Sequence, residues 1–243
     1  MTDSRNILLI ISGGIAAYKS LDLIRRLSDR HIGTQCILTA AGSKFVTPLS
    51  VSALTGKKVF TDLFSLTDEQ EMGHIRLSRE ADLVVIAPAT ANFIARAANG
   101  AADDLASTVL LATDKPVLFV PSMNTRMWDH PATQRNLKQL AQDGAHFLAP
   151  NDGDLACGEV GIGRMAEPDQ ILDEIETLLG LRSQNLMSLK VLVTSGPTYE
   201  PIDPIRYIGN HSSGKQGHAI AQALAQQGAK VTLVTGPTHE PDP

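Results

Sequence analysis

Apolar residues fall along this chain in short solid runs, separated by stretches of helical period. Residues 6–12 (NILLIIS) form a continuous run closed by Gly13-Gly14. Leu21, Ile24 and Leu27 then recur at intervals of three, with Leu23 beside them and Arg25, Arg26 and Asp29 between or after, so a helix is predicted. Residues 34–39 (TQCILT) are the next apolar run, and 81–87 (ADLVVIA), 116–120 (PVLFV) and 145–149 (AHFLA) continue the series. Strand, glycine turn, helix and strand in that order open a parallel βαβ unit. Runs without strict alternation predict strands buried on both faces by helices.

A further helix is predicted from Pro168, with Ile171, Leu172, Ile175, Leu178 and Leu179 as one stripe and Gly180 as its stop. Residues 181–189 (LRSQNLMSL) read as a linker. Residues 190–194 (KVLVT), a turn at Ser195-Gly196-Pro197, a helix over 214–227 and a strand over 230–235 (KVTLVT) then repeat the opening strategy. The expected organisation is an α/β domain over 1–180, a linker over 181–189, and one βαβ unit over 190–243. A βαβ unit alone buries too little surface for stability, so the last part is expected to be a fragment that needs outside contacts.

Composition narrows the function classes. The 243 residues are 43% hydrophobic and 19% charged, with net charge −5 and no basic run longer than a pair. That argues against nucleic acid as a partner. No apolar stretch approaches the ~18 residues that would span a bilayer. Two cysteines, Cys36 and Cys157, lie outside any CxxC pair and cannot build a disulfide framework. A reduced, cytoplasmic protein is expected.

Several strand-end segments carry candidate chemistry. Ser12-Gly13-Gly14-Ile15 joins a strand to a helix whose N-terminus can take a phosphate, or it is a tight turn requiring glycine. The dinucleotide pattern GxGxxG is absent, so one phosphate fits better than two. Residues 87–92 (APATAN) either seat a flat polar ring at a strand's carboxyl end or cap a helix through Thr90 or Asn92. Residues 121–128 (PSMNTRMW) hold Asn124, whose amide can donate to a carboxylate, while the Met and Trp residues read better as packing. Residues 156–165 (ACGEVGIGRM) surround Cys157 with glycines and predict a flexible flap. His74 at a predicted helix start reads, on its own, as a surface histidine. Residues 209–215 (GNHSSGK) fit most of a Walker loop, but Gln216 stands where Ser or Thr would bind magnesium, and no buried strand runs into Gly209. The segment is read as an anion-binding turn instead.

Taken together, SGGIAAYK, APATANFIA, PSMNTRMW and ACGEVGIGRM resemble the flavin-containing cysteine decarboxylases, and TSGPTYEPIDPIRYIGNHSSGKQGHAIA resembles the opening of phosphopantothenate–cysteine ligase. Both in one chain resemble the bacterial bifunctional coenzyme A biosynthesis family. The resemblance implies a three-layer, Rossmann-like, flavodoxin-type parallel sheet with helices on both faces, then the first βαβ unit of a second Rossmann-like domain. It implies FMN, and decarboxylation of 4'-phosphopantothenoylcysteine to 4'-phosphopantetheine through a thioaldehyde and an enethiolate. It places His74 at the catalytic histidine, Asn124 at the holder of the substrate carboxylate, and Cys157 at the proton donor. Gly13, Gly14 and Ile15 match the FMN phosphate turn, and Thr39, Thr90, Ala91, Asn92, Phe93 and Ser122 match flavin-contact positions. Met127, Gly161, Arg164 and Met165 join Asn124 as substrate-binding positions, and no metal is implied for this half. A homo-oligomer, trimer or dodecamer, is implied. Asn210 matches a ligase residue acting on the acyl-nucleotide intermediate, with CTP and Mg2+ called for only by a complete ligase. The alternatives are a flavin-binding regulatory subunit of a protein phosphatase and a peptidyl-cysteine decarboxylase.

Overall fold

The computed structural model describes residues 5–62, 73–155, 158–181, 186 and 189–241, with only the backbone described at residues 73 and 74. The chain divides into two compact units, 1–179 and 180–243.

The first unit is built on a six-stranded parallel sheet. Its strands are β1 (Asn6–Ile11), β2 (Gly33–Leu38), β3 (Val59–Phe60), β4 (Leu83–Ala89), β5 (Val117–Pro121) and β6 (His146–Phe147). Their order is β3-β2-β1-β4-β5-β6, and every neighbouring pair is parallel. All seven residues of β4 are buried, which is why that run is apolar without alternation. The helices are α1 (Tyr18–Asp29), α2 (Pro48–Thr55), α3 (Gly73–Glu80), α4 (Ala91–Ala98), α5 (Leu105–Ala112), α6 (Thr125–Trp128), α7 (Pro131–Gln142) and α8 (Pro168–Leu178).

Successive side chains of β1 feed two cores, as the two-residue period of a strand requires. Ile7, Leu9 and Ile11 pack with Leu23, Ile24 and Leu27 of α1, Val51 of α2 and Ile171 and Ile175 of α8. Leu8 and Ile10 pack on the opposite face with Leu77 of α3, Phe93 and Ile94 of α4, Val109 of α5 and Leu140 of α7. Polar caps set the helix starts. Thr90 Oγ1 accepts from Phe93 N at 3.2 Å, and Asp104 Oδ1 accepts from Ser107 N at 2.8 Å. Gly180 ends the α8 segment at φ +67°.

The second unit pairs β7 (Lys190–Ser195) in parallel with β10 (Lys230–Thr235), with α9 (Lys215–Gln226) packed on both strands. Between β7 and α9 the chain makes an antiparallel hairpin that the sequence pattern did not predict, β8 (Tyr199–Pro201) with β9 (Tyr207–Gly209). Every residue of both hairpin strands is exposed, so no apolar run marks them. The rings of Tyr199 and Tyr207 meet across the pair, tilted by 53° with centroids 4.4 Å apart. Among the described residues no helix is long and apolar enough to cross a membrane.

Candidate active site at the sheet switch point

Strand order reverses between β1 and β4: β1 leads outward to β2 and β3, β4 to β5 and β6. Open α/β sheets place ligands in the crevice beyond the strand ends at that point. A cleft of about 530 Å³ lies there, walled by the turns that follow β1, β4 and β5 and by Asp154, Leu155, Gly163, Arg164 and Met165.

The β1 turn contributes Gly13, Gly14 and Ile15 to the lining. A Cβ on Gly13 would lie 2.6 Å from Ala41 Cβ, so only glycine lets the two loops meet. Gly14 has φ +150°, which side-chain-bearing residues avoid. The turn runs into a 3-10 segment, Ile15–Ala17, and then α1, so a helix start, whose first N–H groups lack intrahelical partners, adjoins the cleft. Ser12, 3% exposed, ties this turn to the next strand: its Oγ donates to Pro88 O at 2.7 Å and accepts from Thr90 N at 3.4 Å. Ser12→Ala leaves a buried carbonyl without its donor, at about 1–3 kcal/mol. A fall in Tm of about 2–12 °C is expected in a calorimetric scan; an unchanged Tm would remove Ser12 from this role.

Thr90 and Ala91 follow β4, and Ser122, Met123, Asn124 and Met127 follow β5. Asn124 caps α6: its Oδ1 accepts from Met127 N at 2.8 Å. This bond fixes the amide's orientation. The Asn124 NH2 group has no hydrogen-bond partner among the described residues, which leaves two donors at the cleft wall.

The segment after β6 turns back on itself. Asn151 pairs with Arg164 and Asp154 with Val160, and Leu155 N donates to Glu159 O at 2.8 Å. The returning arm docks backbone to backbone on the β5 turn. Met123 N donates to Gly163 O at 3.0 Å, and a Cβ on Gly163 would lie 2.2 Å from Met123 O. Arg164 and Met165 line the cleft from this arm. Gly161 packs instead on Thr125, where a Cβ would meet Oγ1 at 2.8 Å.

Three of the flavin-contact positions lie outside the lining. Thr39 Oγ1 donates to Ile11 O at 3.2 Å and accepts from Gly42 N, and so braces the loop behind Gly13. Asn92 is exposed on α4, and the Phe93 ring is buried in the core. Cys157 lies outside the described residues, as does the side chain of His74, whose backbone belongs to α3. Cys36 is buried in β2, and burial pushes its thiol up to about 12, so it is no nucleophile. In the second unit, Asn210 follows β9; its Oδ1 accepts from Ser212 N at 3.2 Å and its Nδ2 donates to Thr198 Oγ1 at 3.4 Å.

The candidate site residues left out Ala16, Tyr18, Lys19, Met123, Asp154, Leu155 and Gly163 among the lining residues. Lys19 had a readable signal. It stands four residues before Leu23, on the buried stripe of α1, where a lysine requires a partner.

The flavoprotein family model matches residues 1–180, and the model of the DNA/pantothenate metabolism flavoprotein C-terminal domain matches residues 186–243. The chain is 48% identical over 239 residues to the coenzyme A biosynthesis bifunctional protein CoaBC of Vibrio vulnificus (strain YJ016), covering 98% of this chain and 59% of that relative. It therefore spans about three fifths of the length of the curated relatives it matches. Among solved structures, a PPC decarboxylase mutant complexed with pantothenoylaminoethenethiol is similar at TM-score 0.66 and 31% identity, over 73% of this chain and 99% of that one. The FMN binding protein AtHal3 is similar at TM-score 0.62 and 32% identity, over 72% and 96%. With the family model covering residues 1–180 of 243, the chain belongs to the flavoprotein family.

Proposed function

We propose that the first unit binds FMN in the switch-point cleft and decarboxylates 4'-phosphopantothenoylcysteine to 4'-phosphopantetheine, a step of coenzyme A biosynthesis. The observation that carries the reading is the convergence, in one cleft, of a glycine turn without room for a Cβ, an amide locked with its donors free, and a flap docked backbone to backbone beside that amide. The cleft fits FMN: its lining is largely apolar, as a flat ring requires, and one helix start offers N–H groups to one phosphate. Bound there, FMN supplies a two-electron acceptor that the substrate carboxylate lacks and returns the pair later.

The protein's residues bind and orient. Gly13, Gly14 and Ile15 take the phosphate through backbone N–H groups, and Thr90, Ala91 and Ser122 face the flavin, with Thr39, Asn92 and Phe93 supporting from behind and beside them. Asn124 donates its NH2 to the substrate carboxylate, Met127 and Met165 give apolar contact, and Gly161 and Arg164 belong to the covering flap. Cys157 protonates the enethiolate, and His74 serves the oxidative and decarboxylative half. The apolar residues Ile15, Tyr18, Met127, Val160 and Ile162 stay exposed around the cleft. Their exposure supports a homo-oligomer, trimer or dodecamer, that covers them. The second unit corresponds to an incomplete part of a ligase; only in a complete ligase domain would Asn210 act on an acyl-nucleotide intermediate, with CTP and Mg2+. The setting is the cytoplasm. The phosphatase-subunit and peptidyl-cysteine readings are not favoured, because the relatives are coenzyme A biosynthesis proteins.

Asn124→Asp keeps the oxygen that caps α6 and replaces the donor NH2 with a carboxylate oxygen. About a tenfold or greater loss of kcat/KM is expected at unchanged Tm, since an unpaired charge then meets the substrate carboxylate. Wild-type kinetics from this variant would contradict the assignment of Asn124.

A further inference from the structure

The arm that docks on Met123 is also tied from below. Lys19, on the first turn of α1, is 5% exposed, and its Nζ donates to Met165 O at 2.8 Å and to Glu167 Oε1 at 3.0 Å. Arg164 Nη2 donates to the same Glu167 oxygen at 2.6 Å. Glu167 N donates to Gln170 Oε1 at 2.9 Å, and that oxygen also accepts from Asn151 Nδ2 at 2.8 Å. Glu167 thus connects the helix of the glycine turn with both arms of the flap. Lys19 and Arg164 line the cleft; Glu167 does not.

We infer that Glu167 is a positioning residue for the reaction: its carboxylate clasps Lys19 and Arg164, and through them holds the flap over the cleft. The inference rests on the decarboxylase reading for its kinetic arm only. Two cations meeting one oxygen repel each other unless that oxygen carries charge, and a buried ammonium without a counter-charge is costly. The hydrogen bond from Lys19, reinforced by Arg164, holds the Glu167 carboxyl below its ordinary range and so keeps it ionised at neutral pH. Once the charge is removed, Arg164 has no reason to stay folded against Lys19, and the flap loses its lower tie. The Met123–Gly163 contact persists, so the flap loosens without detaching. Substrate binding then suffers more than the chemical step.

The test compares the full wild-type chain with Glu167→Gln, Glu167→Asp and the double variant Lys19→Met/Glu167→Gln, each with FMN added. Hydrogen exchange is followed at the amides of Gly161, Gly163 and Arg164, and CO2 release from 4'-phosphopantothenoylcysteine gives KM and kcat. Glu167→Gln is expected to speed exchange at those amides about tenfold, with β1 and β4 unchanged, and to raise KM about tenfold with kcat within about threefold. Glu167→Asp restores most of both. The double variant carries no uncompensated buried charge; it shows the same loosened flap and keeps the test valid if the single variant does not fold. Wild-type exchange in the flap of the folded variants, or faster exchange spread evenly over the sheet, overturns the inference. Absence of CO2 release from the wild-type chain counts against the decarboxylase reading, while the exchange arm still decides the clasp.

Discussion

Gly163→Ala is expected to lower CO2 release by about 100-fold or more while the sheet stays folded. Gly163 has φ +150°, where an L-residue costs about 1–3 kcal/mol. Its added Cβ would lie 2.2 Å from Met123 O, so one of the two backbones must retreat by roughly 1 Å. The Met123 side runs straight into Asn124, and the Gly163 side carries the flap. Retreat on either side separates the Asn124 amide, proposed to hold the substrate carboxylate, from the flap proposed to cover it. Misplacement on the order of 1 Å costs about 100-fold in an oriented reaction. Circular dichroism checks the fold, and a CO2 assay reads the loss. A folded Gly163→Ala protein with wild-type turnover would show that flap and amide need no fixed relation.

Gly13→Val is the second large effect. It is expected to yield a colourless protein whose affinity for FMN has fallen by about 100-fold or more, about 2.7 kcal/mol. Three segments meet at this point. A Cβ on Gly13 would reach Ala41 Cβ at 2.6 Å, and a Cβ on Gly42 would reach Ile11 O at 2.5 Å. Thr39 Oγ1, bonded to both Ile11 O and Gly42 N, prevents the loop after β2 from moving aside. The turn after β1 must therefore give way, and it is the turn proposed to take the phosphate. Fluorescence titration of FMN measures the change. Tight binding by the variant would mean that the phosphate is held elsewhere.

The fold was legible where burial leaves a mark on composition. β4 and, from Ile7 onward, β1 are covered on both faces, so these residues are apolar and stand out as solid runs. β3 is two residues long at the sheet edge, and the β8–β9 hairpin is exposed throughout. Their pairing depends on distant backbone rather than on side-chain pattern, and a local pattern cannot carry that. The site divides in the same way. Gly13, Thr90 and Asn124 were readable because each sits in the turn directly after an apolar run. Lys19 and Glu167 meet across 148 residues of sequence, so the helical stripe marks Lys19 as needing a partner but cannot say which carboxylate supplies it. Phe93 lies beside the cleft turn in sequence, yet the helical period turns its ring into the core.

Whether FMN is required is decided by CO2 release from 4'-phosphopantothenoylcysteine by the flavin-stripped chain as FMN is added back. No release is expected at zero FMN, then a rise that saturates at one FMN per chain. Release that is the same with the flavin removed, or none at any FMN concentration, would refute FMN-dependent decarboxylation by this chain.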